Sequence, residues 1–544
     1  MFSIIILYLV TTDKMNKRKF INLILILSLS VIFFFISPHL GFSTTYSRLN
    51  ELLKEKVETS EFTIHFRNSI PESEAKLLAL HAEYYSNLLR ESIQVKLSKK
   101  MEIFLFNDSE QKKIYFGSGN ADVAKPWLYQ IYLSQDSWRK TLKHEMAHIF
   151  SAEFGSTIFK LAGDFNPLLI EGFATAQDPF KENLSIDYLA ALAYRYSDES
   201  IISRILSHTG FFNINSLKAY VYAGSFSKFL IENYGIDKFK LYYRSNYITK
   251  SYNESLDFFI NNFENYLTTL SVEENIHSYY YYFGRQSITQ KICPRYIAKQ
   301  LQYGWEHVKN SEFDKAKIKF RNVLSKASNY SAVIGLAECL EIQDSLSQSA
   351  ELYRYYYSDF EKTPYYYLLK LRLADILVEL SYYEEAKGLY EHLLAQKPTM
   401  AIELISLLRL KLFESNQLRD YLVSNDIVKF NILEELNKAE YYYPSIPAFI
   451  NLSISTGSDY RSFIMKFDKT IFITDVYSAW AVYKLSEYML DNFDFRDSRK
   501  MASLARRYKE KLHFNLLWED SFDKADWFYY NAEQFLNQFI NRVE

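Results

Sequence analysis

From Trp138 to the C-terminus, apolar residues recur at helical spacing with few interruptions, and a chain patterned this way over most of its length can do little but pack helices. Turn chemistry agrees. Only 14 glycines and 10 prolines occur in 544 residues, where about 12% would be usual for the two together. Tight turns, barrels and phosphate-cradling loops all consume glycine, which argues against a β-rich or dinucleotide-binding fold. The helical pattern fails only near the N-terminal end. Phe62–Phe66 and Met101–Phe106 alternate as strands do, and Trp127 to Leu133 reads as a third strand. Between the first two, Glu72 to Glu91 carries Leu77, Leu80, Tyr84 and Leu88 at helical spacing. The expected fold class is mainly α, with a small N-terminal α+β unit followed by a long helical array. The change of character falls near 270–300, where Tyr279–Tyr282, Gly284 and Pro294 interrupt the pattern.

The helical half repeats. Ala316, Ala350 and Ala386 stand 34 and 36 residues apart. Around Ala386, Ala374 lies twelve residues before, Tyr390 four after and Pro398 twelve after. Around Ala316 the equivalents are Gly304, Phe320 and Ser328, and around Ala350 the first two places hold Glu338 and Arg354 instead. Over about residues 300–400 this pattern resembles tetratricopeptide repeats. The resemblance implies helical hairpins that bury their apolar faces on one another as a solenoid, with an extended surface for a protein partner or substrate. Residues 401–544 read as further helices, repeats of a degenerate kind.

Asn16-Lys17-Arg18-Lys19 precedes an apolar run from Phe20 to Ile36, the signature of a secretory signal or N-terminal membrane anchor. Met15 opens a more ordinary signal than Met1 does, and no cysteine follows the run to carry a lipid. Everything after about Thr45 is then expected outside the cytoplasmic membrane, secreted, periplasmic or anchored. The expected division is 1–44 as signal or anchor, 55–270 as a catalytic unit, 290–400 as repeats and 401–544 as further helices. Lys+Arg 63 against Asp+Glu 65 leaves a net charge of −2, which offers nucleic acid no attracting field. Cys293 and Cys339 are too few for a disulfide framework or a cysteine zinc site. The tyrosine runs 279–282, 355–357, 365–367 and 441–443 read as packing between helices.

The strongest chemical signal is His144-Glu145-Met146-Ala147-His148. Residues four apart share a helix face, so two imidazoles can reach one ion at about 2.0–2.1 Å. Glu145 then stands beside the metal, where a carboxylate can take a proton from a bound water. With 10 histidines in the chain, chance supplies roughly 0.02 such patterns. Trp138, Leu142, Ile149 and Phe150 give the segment an apolar stripe, and no proline intrudes. A third ligand is needed to leave one position open. Glu171 follows 23 residues after His148, inside the apolar stretch Asn166-Pro167-Leu168-Leu169-Ile170-Glu171-Gly172-Phe173-Ala174. Burying an acid among such neighbours is costly unless it is paired or binds metal.

A helical His-Glu-x-x-His followed some twenty residues later by Pro-x-x-x-Glu-Gly-x-Ala resembles the gluzincins, and among them the bacterial peptidase MA-like metallohydrolases. The likeness covers about residues 60–250 and extends to Tyr222-Ala223-Gly224-Ser225-Phe226 with Tyr234-Gly235. It implies a zincin-like fold, a Zn2+ cofactor held by His144, His148 and Glu171, Glu145 as general base and a peptide substrate. Leu168 stands where the family usually has tryptophan. The Gly-x-Met-Glu-Asn motif of the aminopeptidase branch is missing, as is thermolysin's pattern around its third ligand. Related zinc enzymes stabilise the oxyanion with a Tyr or His beyond that ligand; here Tyr222 is the first candidate, with Tyr220 and His208 behind it. An edge strand before the metal helix would pair with extended substrate, and Gln130 to Leu133 is the expected segment. Two other readings stay open, a non-catalytic zinc-site and repeat scaffold and a zinc hydrolase of non-peptide amides.

Overall fold

The computed structural model describes residues 21, 24–25, 27–32, 45–197, 200–287, 294–438, 440–458, 472–509 and 512–540. Among them the chain is mainly helical with a small mixed sheet. Most of the expected signal or anchor lies outside the described residues, as does Cys293. No helix among the described residues is long and apolar enough to cross a membrane. The chain divides into two compact units, Met1–Leu161 with Gln534–Glu544, and Ala162–Glu533.

The first unit opens with helix α1 (Tyr46–Leu52), strands β1 (Glu55–Glu58) and β2 (Phe62–Phe66), helix α2 (Glu72–Ile93), strand β3 (Met101–Phe106) and helix α3 (Ser109–Phe116). Strands β4 (Val123–Lys125) and β5 (Gln130–Ser134) and helix α4 (Trp138–Ser151) complete it. The sheet order is β1-β2-β3-β5-β4. β2, β3 and β5 run parallel, while β1 and β4 are antiparallel additions at the two edges. Register places Ile64, Ile103 and Ile131 in one row, and His65, Phe104 and Tyr132 in the neighbouring row on the opposite face. The second row packs with Leu49 and Leu53 under α1 and α3, where Tyr115 and Phe116 close the cluster. Each large apolar side chain buried there contributes roughly 1.5–3 kcal/mol.

The expected substrate-pairing edge at Gln130–Leu133 is corrected by this topology. β5 is buried along its length and bonded on both sides, to β3 and to β4. Pro126–Leu128 form a 3-10 turn, and Tyr129 takes a left-handed conformation at φ 58°. The reversal lays Val123–Lys125 outside β5, so the edge beside α4 is β4. The third strand accordingly starts at Gln130 rather than Trp127.

The second unit begins with α5 (Pro167–Gln177), the ribbon β6 (Phe180–Lys181) and β7 (Leu184–Ser185), and α6 (Ile186–Arg195). Helices α7 (Ile201–Ile205), α8 (His208–Asn213), α9 (Ser216–Tyr234), α10 (Ile236–Ser245), α11 (Ile248–Tyr252), α12 (Leu256–Thr269) and α13 (Ile276–Phe283) follow. α5 starts where the sequence provides a cap: the Asn166 side chain accepts from the Leu168 N–H at 3.0 Å, and Pro167 occupies the first helical position. It packs against α9 at close range. A Cβ on Gly172 would lie 2.6 Å from the Ala223 carbonyl oxygen, and one on Gly224 would lie 2.4 Å from Thr175.

Next come α14 (Pro294–Lys309), α15 (Phe313–Leu324), α16 (Tyr330–Ile342), α17 (Leu346–Tyr356), α18 (Pro364–Glu379), α19 (Tyr383–Gln396) and α20 (Met400–Glu414), each packed on the next. Ala316, Ala350, Ala374, Ala386, Phe320 and Tyr390 are all buried. The Phe320 ring fills the space left by Gly304 and Gly335, where a Cβ would come within 2.6 and 2.3 Å of it. Burial pushes the Cys339 thiol in this core up to about 11. Further helices extend the unit through Val476–Asp491 and Phe495–Ala505.

Candidate metal centre

His144, Glu145 and His148 lie on α4 and are buried. The two imidazole rings stand 4.9 Å apart, nearly perpendicular. Glu171 lies in the second turn of α5 and is half-buried. One ligand atom from each of His144, His148 and Glu171 lies within 4.8 Å of the other two. A tetrahedral zinc ion about 2.0–2.1 Å from its ligands sets them roughly 3.4 Å apart. A triangle no wider than 4.8 Å reaches that spacing by side-chain adjustment, so two imidazoles and a carboxylate fit a zinc ion here.

A buried ion pair anchors the N-terminal turn of α4. Asp122 accepts from Lys112 Nζ, both side chains being almost fully enclosed. Its second carboxylate oxygen accepts from Ser137 Oγ at 2.6 Å and Thr141 Oγ1 at 2.5 Å. Ser137 precedes α4, and Thr141 shares the face of His144, Glu145 and His148 at three, four and seven residues' spacing. A carboxylate at a helix N-terminus is also favoured by the helix dipole. The sequence carries no local signal for this pair, because Lys112 and Asp122 read as ordinary surface residues until the sheet and α3 enclose them. On the other side of α4, Glu74 of α2 accepts from Trp138 Nε1 at 2.8 Å and from both Arg139 terminal nitrogens at 2.7 and 2.9 Å.

Tyr222 is not on the side of α9 that meets α5. Tyr222, Phe226 and Phe229 share one face, and all three rings pack on Phe263 of α12 at 6.3, 5.3 and 5.7 Å. Ala223, Gly224 and Ser227 lie on the opposite face, against α5. The Tyr222 hydroxyl is buried and meets no hydrogen-bond partner among the described residues, and burial pushes its phenol well above the usual range. These contacts build Tyr222, the first candidate for the oxyanion donor, into the α9–α12 core on the face of α9 turned away from α5. Tyr220 shares the α5-facing side through its three-, four- and seven-residue spacing to Ala223, Gly224 and Ser227. It is half-buried, with its ring 5.6 Å from Phe211 of α8. His208 is the first residue of α8. Helix periodicity of α9 alone could have separated Tyr220 from Tyr222, but which face met α5 was not legible.

No family model, curated protein or solved structure matches this chain.

Proposed function

We propose that this chain is a zinc-dependent metallopeptidase of the gluzincin type, working outside the cytoplasmic membrane. The observation that carries the reading is the meeting of His144, His148 and Glu171 within 4.8 Å beside a buried Glu145. In this reading residues 55–270 form a zincin-like catalytic region and the helices after 290 form a repeat solenoid that recruits protein substrate or partner. His144, His148 and Glu171 hold the ion. When bound, zinc supplies an acidified water and a polarised carbonyl. Glu145 takes the water's proton and passes it to the leaving amine. Tyr220, in place of Tyr222, is the side chain proposed to donate a hydrogen bond to the oxyanion. β4, with Val123–Lys125 at the sheet edge, is proposed to align extended peptide.

The test combines elemental analysis of the purified chain with digestion of an unbiased peptide library. The wild type is expected to hold one zinc and to cleave peptides. Glu145→Gln is nearly isosteric but accepts no proton, so it should keep its zinc and lose about 10²–10⁴-fold in turnover. Wild-type turnover in metal-loaded Glu145→Gln removes that residue from the mechanism. Zinc binding without hydrolysis of any peptide assigns the site to a scaffold or to non-peptide amides.

A further inference from the structure

The turn that follows the metal helix is built to hold two large apolar side chains out into water. Gly155 closes it, since a Cβ there would lie 2.1 Å from the Lys160 carbonyl oxygen. Lys160 takes φ 55°, and its N–H donates to the Thr157 carbonyl at 2.9 Å. The Ser156 N–H donates to the Leu161 carbonyl at 3.1 Å, and the Leu161 N–H to Thr157 Oγ1 at 2.9 Å. These bonds pin the base of the turn, and at its apex Ile158 is 84% and Phe159 41% exposed. The neighbouring 3-10 turn adds Trp127, whose ring lies 4.9 Å from Phe159, and Leu128, 48% exposed.

We propose that this tip, Trp127, Leu128, Ile158 and Phe159, docks the protein on an anionic phospholipid surface. Large apolar side chains exposed singly need no explanation, but a contiguous group on a backbone-pinned turn marks an interaction site. The charge beside it selects the partner. Lys96, Lys99 and Lys100 of the preceding loop are exposed. The Lys99 and Lys160 ammonium groups lie 6.0 and 4.6 Å from the ring centre of Tyr129, the residue after Leu128. One nearby carboxylate, Glu153, is engaged by the Ser98 N–H and the Tyr129 hydroxyl, both at 2.8 Å. Lys99 and Lys160 beside aromatic and aliphatic anchors, with Lys96 and Lys100 exposed in the same loop as Lys99, match anionic headgroups over an apolar interior. A stable protein partner needs about 800 Å² from each side, more than one turn of this kind supplies. The inference stands apart from the metal site.

Photocrosslinking in the full chain tests it, because an N-terminal anchor would make simple vesicle binding uninformative. Benzoylphenylalanine replaces Ile158 in one sample and Tyr355, 72% exposed, in another. Each is reconstituted with vesicles of phosphatidylcholine containing about a quarter phosphatidylglycerol. Mass spectrometry should find phospholipid adducts at position 158 at roughly ten times the yield at 355. That yield should fall severalfold in phosphatidylcholine alone, and equally in Lys99→Glu/Lys100→Glu. Equal yields at the two positions, adducts at 158 to a second copy of the chain, or a yield indifferent to phosphatidylglycerol would each overturn the proposal.

Discussion

Glu102 shows how one side chain becomes structural through neighbours far away in sequence. Its carboxylate lies 3.4 Å from His65 Nε2, accepts from Gln130 Nε2 at 2.9 Å and also accepts from the Tyr46 hydroxyl. Burial opposes ionisation, but the adjacent His65 ring and hydrogen bonds from Tyr46 and Gln130 outweigh it and hold the carboxyl down at about 2, against an ordinary 4.5. A folded value below the unfolded one means the stabilisation is complete above about pH 4.5 and is lost as pH falls through about 2. The side chain is a quarter exposed, so after solvent screening the contribution is on the order of 1 kcal/mol. Urea unfolding of Glu102→Gln should therefore show a deficit of that size at pH 7 which narrows by pH 3. A deficit independent of pH would mean that shape, not charge, is what the site requires. The alternation of Phe62–Phe66 made His65 legible as a strand residue, but not its ring stacked 4.7 Å from Phe104. The sheet register decides that contact.

At the scale of elements, α4 is held in place by what happens at its first turn. Asp122 binds Lys112, Ser137 and Thr141 in a nearly solvent-free setting. Removing one partner of a buried pair leaves the other charge uncompensated, at a cost of about 3–5 kcal/mol. Asp122→Ala is expected to lose stability by that amount in denaturant unfolding. The double change Asp122→Asn/Lys112→Met, which leaves no lone charge, should lose clearly less. If the single and double variants were equally destabilised, the pair would matter for packing alone. The helix itself was legible: His144-Glu145-x-x-His148 sits within an unbroken apolar stripe, and α4 spans Trp138–Ser151. The start of α5 is local chemistry as well, an Asn cap followed by a proline at the first helical position. The identity of the edge strand was not legible, because β4 has only three residues and gains its place by pairing with β5.

At the scale of the whole molecule, the segment around α13 is a seam within the second unit. Towards the preceding helices, Arg195 donates to the Val272 carbonyl at 3.0 Å, Lys218 to the Tyr279 hydroxyl at 2.9 Å and Asn215 to the Arg285 carbonyl at 2.8 Å. Towards the later helices, Asn275 donates to the Gln396 and Lys397 carbonyls at 3.1 and 2.9 Å, and His277 Nδ1 lies 3.0 Å from the Tyr367 hydroxyl. A chain ended at Ser271 loses the first set, worth about 1 kcal/mol for each bond. It should be about 2–4 kcal/mol less stable to denaturant than one ended at Ser287, and equal stabilities would show that α13 adds nothing to the helices before it. The sequence by itself determined that the chain is mainly helical and where the His144–His148 helix runs. Those properties follow from spacing along one segment. Only the tertiary structure decided that β4 is the edge, that Tyr220 and not Tyr222 faces α5, and that Lys112 and Asp122 become a buried pair. Each of these depends on which face of an element meets a partner from a distant part of the chain, and periodicity defines the faces without assigning their neighbours.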